Sequence, residues 1–265
     1  MTAARPRYLV VHLAPLTHLL RDVDLLRSLA EKGEVHLICR NDGHPLLVGS
    51  GQGYIRSVHC LRHPDRRWQG LRAWSTGHTW HQLGRQLQSY GFYQVLWVGA
   101  KRRHVGSWIR RWLPHAQVDQ VPSGQDWPGA NGLDISESMR SRARDWLKPA
   151  RGRIVGLMSH GTPQDEWTST ARRLLDRCHA QHLLVFEPTR AQQRGLAQLA
   201  TAYQASLRPA PGLDLLPAIC SELTALISDQ ELPLAVAQAV GTPTAAIASG
   251  KWHADDLDLP EDATA

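Results

Sequence analysis

Apolar positions along the chain fall into short runs separated by longer amphipathic stretches. Residues 8–13, 34–39, 54–61 and 94–98 read as strands. The second half repeats the pattern at 153–158, 183–187, 225–228 and 244–248. Residues 18–32 place Leu19, Leu20, Val23, Leu26 and Leu29 at helical spacing, and Gly33 ends that helix. The spacing puts Asp22 and Asp24 on its solvated face. Residues 43–53 are turn-rich, and 66–90 read as a loop followed by a helix. Further helices are predicted over 105–113 and 135–147, closed by Pro114 and Pro149, and over 168–179, 190–204 and 234–240.

Strands that alternate with helices form parallel sheets. Residues 121–134, rich in Gly, Pro and Asn, read as a linker between a domain at 1–134 and another at 135–265. The expectation is an α/β chain of two Rossmann-like domains with parallel sheets facing a cleft. Ligands of such sheets sit at the carboxyl ends of strands, so residues just after each strand are the functional candidates.

Composition narrows the classes. The chain has 265 residues, 42% of them hydrophobic, enough for a substantial core. Thirty Lys and Arg against 24 Asp and Glu give a net charge of +6, which favours an anionic partner. Only Lys32, Lys101, Lys148 and Lys251 are lysines, so the cations are mostly arginine forks suited to phosphate and carboxylate. The four cysteines are scattered without a CxxC pair, which argues against a disulfide framework and fits a reducing compartment. No apolar run approaches the roughly 18 residues of a membrane span. The expected address is the cytoplasm, and an anionic membrane surface is among the partners the charge allows. No P-loop or nucleophile-elbow motif occurs, and no nucleic-acid motif supports a nucleic-acid partner. Histidine pairs such as His179 and His182 lack a carboxylate or cysteine cluster, so no metal site is expected.

Three stretches carry candidate chemistry. Lys101, Arg102 and Arg103 follow a strand and lead into Trp108-Ile-Arg-Arg-Trp-Leu113. They suit phosphates, carboxylates or an anionic leaflet; the plain alternative is a solvated helix face with the tryptophans inward. Ser159, His160, Gly161 and Thr162 follow the first strand of the second half, where small polar groups contact phosphates or simply make a strand–helix loop. Glu187 ends a strand at the place where such folds hold a ribose or base edge.

Four stretches, in order, resemble the heptosyltransferase family of glycosyltransferases, which have the two-domain GT-B architecture. They are Val11-His-Leu-Ala-Pro-Leu-Thr-His18, Phe92-Tyr-Gln-Val-Leu-Trp-Val-Gly99, Ile154-Val-Gly-Leu-Met-Ser-His-Gly161, and Leu226-Ile-Ser-Asp-Gln-Glu231 followed by 235–243 (AVAQAVGTP). The resemblance implies an inverting, metal-independent enzyme without a cofactor. It would move a heptose-like sugar from a nucleotide-sugar donor such as ADP-heptose to lipopolysaccharide or a related acidic glycan. The resemblance places His18 where the family has its loop base, an aspartate. A histidine can take a proton near neutral pH. It places Ser159, His160, Gly161, Thr162, Glu187, Asp229, Gln230 and Glu231 on the donor side, and Lys101, Arg102 and Arg103 on the acceptor side. The chain departs from the family pattern at Asp165, where a donor-contacting lysine is expected, and at 229–235, where the glycine and histidine of the motif are replaced. The family segment that returns to the first domain has no counterpart. A second reading follows from these departures: a GT-B relative with a degenerate site, binding or scaffolding in a glycan-assembly complex.

Overall fold

A computed structural model describes residues 5–40, 43–49, 52–61, 80–99, 103–123, 132–159, 164–188, 190, 193, 199, 203–248 and 251–252. The chain divides into two compact units, Met1–Ala130 and Asn131–Ala265.

The first unit holds five strands: β1 (Arg7–His12), β2 (Glu34–Arg40), β3 (Ile55–Leu61), β4 (Gln94–Val98) and β5 (Gln117–Val121). All pair in parallel in the order β3-β2-β1-β4-β5. Its helices are α1 (Leu16–Arg21), α2 (Val23–Lys32), α3 (Gly43–Gly49), α4 (80–88) and α5 (Arg103–Trp112). Leu9, Val10 and Val11 of β1 are all buried, because helices cover both faces and nothing rewards alternation. On one face Leu9, Val11, Ile38, Val95 and Trp97 pack under Trp80, Leu83, Leu87, Val105, Trp108 and Ile109. The Trp108 indole donates to the Trp80 carbonyl at 2.7 Å.

The chain builds outward from β1 to β3, then jumps back across β1 to β4. The carboxyl ends of β1 and β4 therefore flank the point where strand order reverses, which is where α/β sheets bind ligands.

The helix predicted over 18–32 is two helices, broken at Asp22. Asp22 is buried, and its carboxylate meets His12 rather than solvent. Its backbone N–H closes α1 on the carbonyls of His18 and Leu20. The segment read as turn-rich contains α3. Residues 117–121, just before the predicted linker, form the edge strand β5.

The second unit has six strands: β6 (Ile154–Met158), β7 (His182–Phe186), β8 (Gln204–Arg208), β9 (Ala225–Ser228), β10 (Thr244–Ala248) and β11 (Lys251–Trp252). Their order is β11-β10-β9-β6-β7-β8, parallel except for β11 against β10. Its helices are α6 (Glu137–Leu147), α7 (Gln164–Arg177), α8 (Leu216–Ser221) and α9 (Glu231–Ala239). Ser136 caps α6, its hydroxyl accepting from the Met139 N–H at 3.4 Å. Val155, Leu157, Leu183, Val185 and Ile227 form the core with Ala171 and Leu175 of α7. Here the chain runs β6, β7, β8, then returns across β6 to β9. The reversal lies between β6 and β9.

Residues 204–208 form β8, although 204 was read as the end of a helix. Helix α8 was not anticipated. Both units are Rossmann-like α/β sheets, as the strand–helix rhythm predicts.

Candidate functional site

The carboxyl ends of β6 and β9 carry the polar groups of the second unit. Ser159 follows β6 and Asp229 follows β9, and the buried Ser159 hydroxyl donates to Asp229 Oδ2 at 3.0 Å. The side chains thus meet across the reversal of strand order. The Ser228 hydroxyl accepts from the Gln230 N–H at 3.0 Å and turns the chain into α9. No side chain caps that helix. Pro233 in its first turn has no N–H, so the amino end presents the N–H groups of Glu231 and Leu232. A helix amino end favours an anion. The Glu231 carboxylate in the first turn opposes a phosphate there. Ser159, Asp229, Gln230 and Glu231, all predicted from the sequence, are therefore gathered at one end of the sheet.

Glu187 lies just after β7, beside β6. It is exposed and left-handed at φ 46°, and its N–H donates to the Arg208 carbonyl at 2.8 Å. A non-glycine residue held there stores strain of about 1–3 kcal/mol, as does His179 at the same φ. His160, Gly161 and Thr162 lie outside the described residues.

In the first unit, α1 carries His18, half-buried, with Nδ1 3.3 Å from the Ser123 hydroxyl. Ser123 follows β5. Gly99 follows β4 at φ 98°, a conformation that strains any side chain. The Gly99 N–H donates to the Val121 carbonyl at 2.8 Å, and the Gln120 amide donates to the Gly99 carbonyl at 3.1 Å. Gly99, Gln120, Pro122 and Ser123 line an open cavity of about 490 Å³. Sequence reasoning passed over Pro122 and Ser123 because they fall in the stretch that reads as linker, and over Gln120 because the residues before it show no element. The apolar residues Val118 and Val121 at the end of a short polar run are the only trace of the strand that presents them.

Lys101 and Arg102 lie outside the described residues, and Arg103 opens α5. Trp108 is buried against Trp80, their rings 4.9 Å apart. Arg110 and Arg111 are exposed, with the Arg111 guanidinium 5.6 Å from the Trp112 ring.

Other titratable groups belong to packing. His36 Nδ1 and His59 Nε2 share the Ser57 hydroxyl at 2.7 and 2.8 Å. Burial, with His59 alongside, pushes His36 down to about 4, and burial lowers His59 as well. Burial also raises the Cys178 thiol to about 11 and the Cys220 thiol to about 12, so neither is a thiolate at neutral pH. Among the described residues, no group of three or more His, Cys, Asp or Glu could hold a metal ion. Among them, no helix is long and apolar enough to cross a membrane.

No protein-family model matches the chain, and no curated protein sequence matches it. Solved structures do. A glycosyl transferase family 9 protein from Veillonella parvula aligns over 92% of this chain and 81% of its own at TM-score 0.60, with 12% identity. The E. coli ADP-heptose lipopolysaccharide heptosyltransferase II aligns over 89% of this chain and 83% of its own at 0.58, with 14% identity. An E. coli heptosyltransferase solved with ADP-2-deoxy-2-fluoro heptose aligns over 90% of this chain and 87% of its own at 0.55, with 12% identity. The heptosyltransferase resemblance carried by four sequence stretches is thus matched by the fold: the chain has a heptosyltransferase-like, GT-B-type fold.

Proposed function

We propose that this protein is an inverting glycosyltransferase that moves a heptose-like sugar from a nucleotide-sugar donor, such as ADP-heptose, to lipopolysaccharide or a related acidic glycan. The observation that carries the reading is the Ser159–Asp229 hydrogen bond beside the uncapped amino end of α9, at the strand reversal of the second unit. The fold shared with heptosyltransferases supports it.

On this reading the second unit, with Glu187 and Asp229 to Glu231, holds the donor. The N–H groups at the start of α9 face the diphosphate. Asp229 and Glu231 accept hydrogen bonds from sugar or ribose hydroxyls. Ser159, with His160, Gly161 and Thr162 next to it in sequence, is assigned to the same donor side. The first unit takes the acceptor, with Lys101, Arg102 and Arg103 toward its anionic groups. His18 is the base. Ser123 engages its Nδ1, which leaves Nε2 to take a proton. As the acceptor oxygen forms its bond to the anomeric carbon, the bond to the diphosphate oxygen breaks. The electron pair leaves with the nucleoside diphosphate, and the hydroxyl proton passes to His18. The reaction needs no metal in this account, because helix dipole and backbone carry the leaving-group charge. Work on such an acceptor takes place at the cytoplasmic side of the inner membrane.

A turnover assay tests the proposal. Nucleoside diphosphate release is followed with ADP-, UDP- and GDP-sugars, with and without lipopolysaccharide core. Acceptor-dependent release from one donor is the expected result. Donor binding without release in every combination contradicts it and favours the second reading, a binding or scaffold protein. The observation behind that reading is the pair of carboxylates, Asp229 and Glu231, at the seat of the diphosphate.

A further inference from the structure

We propose that the buried His12–Asp22 pair is a positioning device that sets His18 over Ser123; this rests on the reading of His18 as the base. His12 is the last residue of β1, and Asp22 is the single residue between α1 and α2. His12 Nε2 and Asp22 Oδ2 lie 2.9 Å apart, each side chain only 1% exposed. The contact closes the excursion that leaves the strand at residue 12 and returns at residue 22, with His18 inside it. Asp22 also holds His18 directly, its backbone N–H donating to the His18 carbonyl at 3.1 Å. One residue therefore ties the backbone of His18 to the carboxyl end of the central strand.

Helix α1 needs such a tie. It has six residues and no side-chain cap. A helix this short has little persistence of its own. Leu16, Leu19 and Leu20 bury its inner face, but apolar burial is non-directional and tolerates rotation. A carboxylate accepting from an imidazole N–H is directional, and in a dry site it fixes one orientation. An ionised carboxylate can only accept, so with Asp22 in that form Nε2 is the donor of this contact.

The pair is poorly explained as a device for stability. Removing both groups from water offsets most of their attraction. His12 Nδ1 is buried and makes no hydrogen bond among the described residues, an added cost. What the pair supplies is geometry. Leucines at the two positions would fill the space without fixing the turn of α1 about its axis.

The test uses full-length protein with ¹⁵N-labelled histidine: wild type, Asp22→Asn, the double variant His12→Leu/Asp22→Leu, and Ser123→Ala as the reference for an unanchored His18. Asp22→Asn keeps an acceptor for His12 and is expected to keep the His18 ring signals of wild type. The double variant is expected to keep the wild-type melting temperature while its His18 signals move to those of Ser123→Ala. With a donor and acceptor that wild type turns over, its kcat should fall about 10–100-fold. KM for the donor should stay within about twofold, since the donor seat is elsewhere. Wild-type His18 signals in a folded double variant overturn the proposal. So does a fall of kcat and melting temperature together with a rise in donor KM, the mark of a purely structural role. If the double variant does not fold, Asp22→Ala is read in the same way. If no nucleotide sugar is turned over, the proposed function fails while the ring signals still decide on the pair.

Discussion

At the residue scale, the candidate chemistry sits in side chains at strand ends. His18→Ala should lower turnover about 10²–10⁴-fold and leave the donor Kd within about twofold, as expected for a base that does not bind donor. Parallel calorimetry and turnover assays check this; unchanged turnover removes His18 from the role. Ser159 was legible because it follows an apolar run, where such sheets bind ligands, and Asp229 through the resemblance of 226–231 to the family motif. Asp22 was not legible as a buried group. Helical periodicity runs unbroken from Leu19 to Leu29, so the break between α1 and α2 leaves no trace in it. Yet Asp22 stands three residues after Leu19 and four before Leu26, on the apolar stripe, and an acid there was the available signal. The histidines of β2 and β3 carry a pH prediction. Folded His36 is held near 4 against an ordinary 6.5, and His59 is lowered too. The unfolded chain therefore binds more protons between those values. Stability is fully present above about pH 6.5 and falls by about 1–3 kcal/mol as pH drops toward 4. Urea unfolding at stepped pH should show the loss, reduced in His36→Gln; an equal slope in both would assign it to other groups.

At the scale of elements, the central strands and the edge strand β3 match the apolar runs, while the edges β5 and β8 do not. β1, β4, β6 and β7 are buried on both faces and announce themselves as apolar runs. β5 (QVDQV) and β8 (QASLR) lie at or beyond the last well-covered strand, exposed over much of their length. Their sequences have no need of an apolar run. α8 (LPAICS) fails for the opposite reason: five of its residues are buried, so it has no polar face to set a period. α3 hides between two glycines with a proline inside. One helix contact is sharply testable. A Cβ on Gly84 of α4 would lie 2.5 Å from a ring carbon of Trp112 on α5. Gly84→Ala should therefore destabilise by about 1–3 kcal/mol, despite alanine's better helix propensity. Thermal unfolding reads this, and a stabilised variant would show that α5 can move off α4 at no cost.

At the scale of the molecule, charge is divided between the units. Residues 1–130 carry 17 Lys and Arg against 8 Asp and Glu, a net +9; residues 131–265 carry 13 against 16, a net −3. The first unit suits an anionic glycan, and the second gains nothing from long-range attraction to a diphosphate. Raising salt from about 50 to 300 mM should thus raise KM for a phosphorylated acceptor several-fold and leave the donor Kd nearly constant. Equal salt dependence of both would contradict the division of roles. The two-sheet α/β architecture was legible because its rhythm restarts at residue 153; the cavity beside Ser123 was not, because edge strand β5 builds it.

Isothermal titration calorimetry of the folded chain with ADP-, UDP- and GDP-sugars decides whether the second unit holds a nucleotide-sugar donor. One of them should bind with a Kd between about 1 μM and 1 mM. Asp229→Ala should weaken that binding about tenfold, or about 1.4 kcal/mol. Failure of every nucleotide sugar to bind the folded protein at millimolar concentration would contradict the donor role.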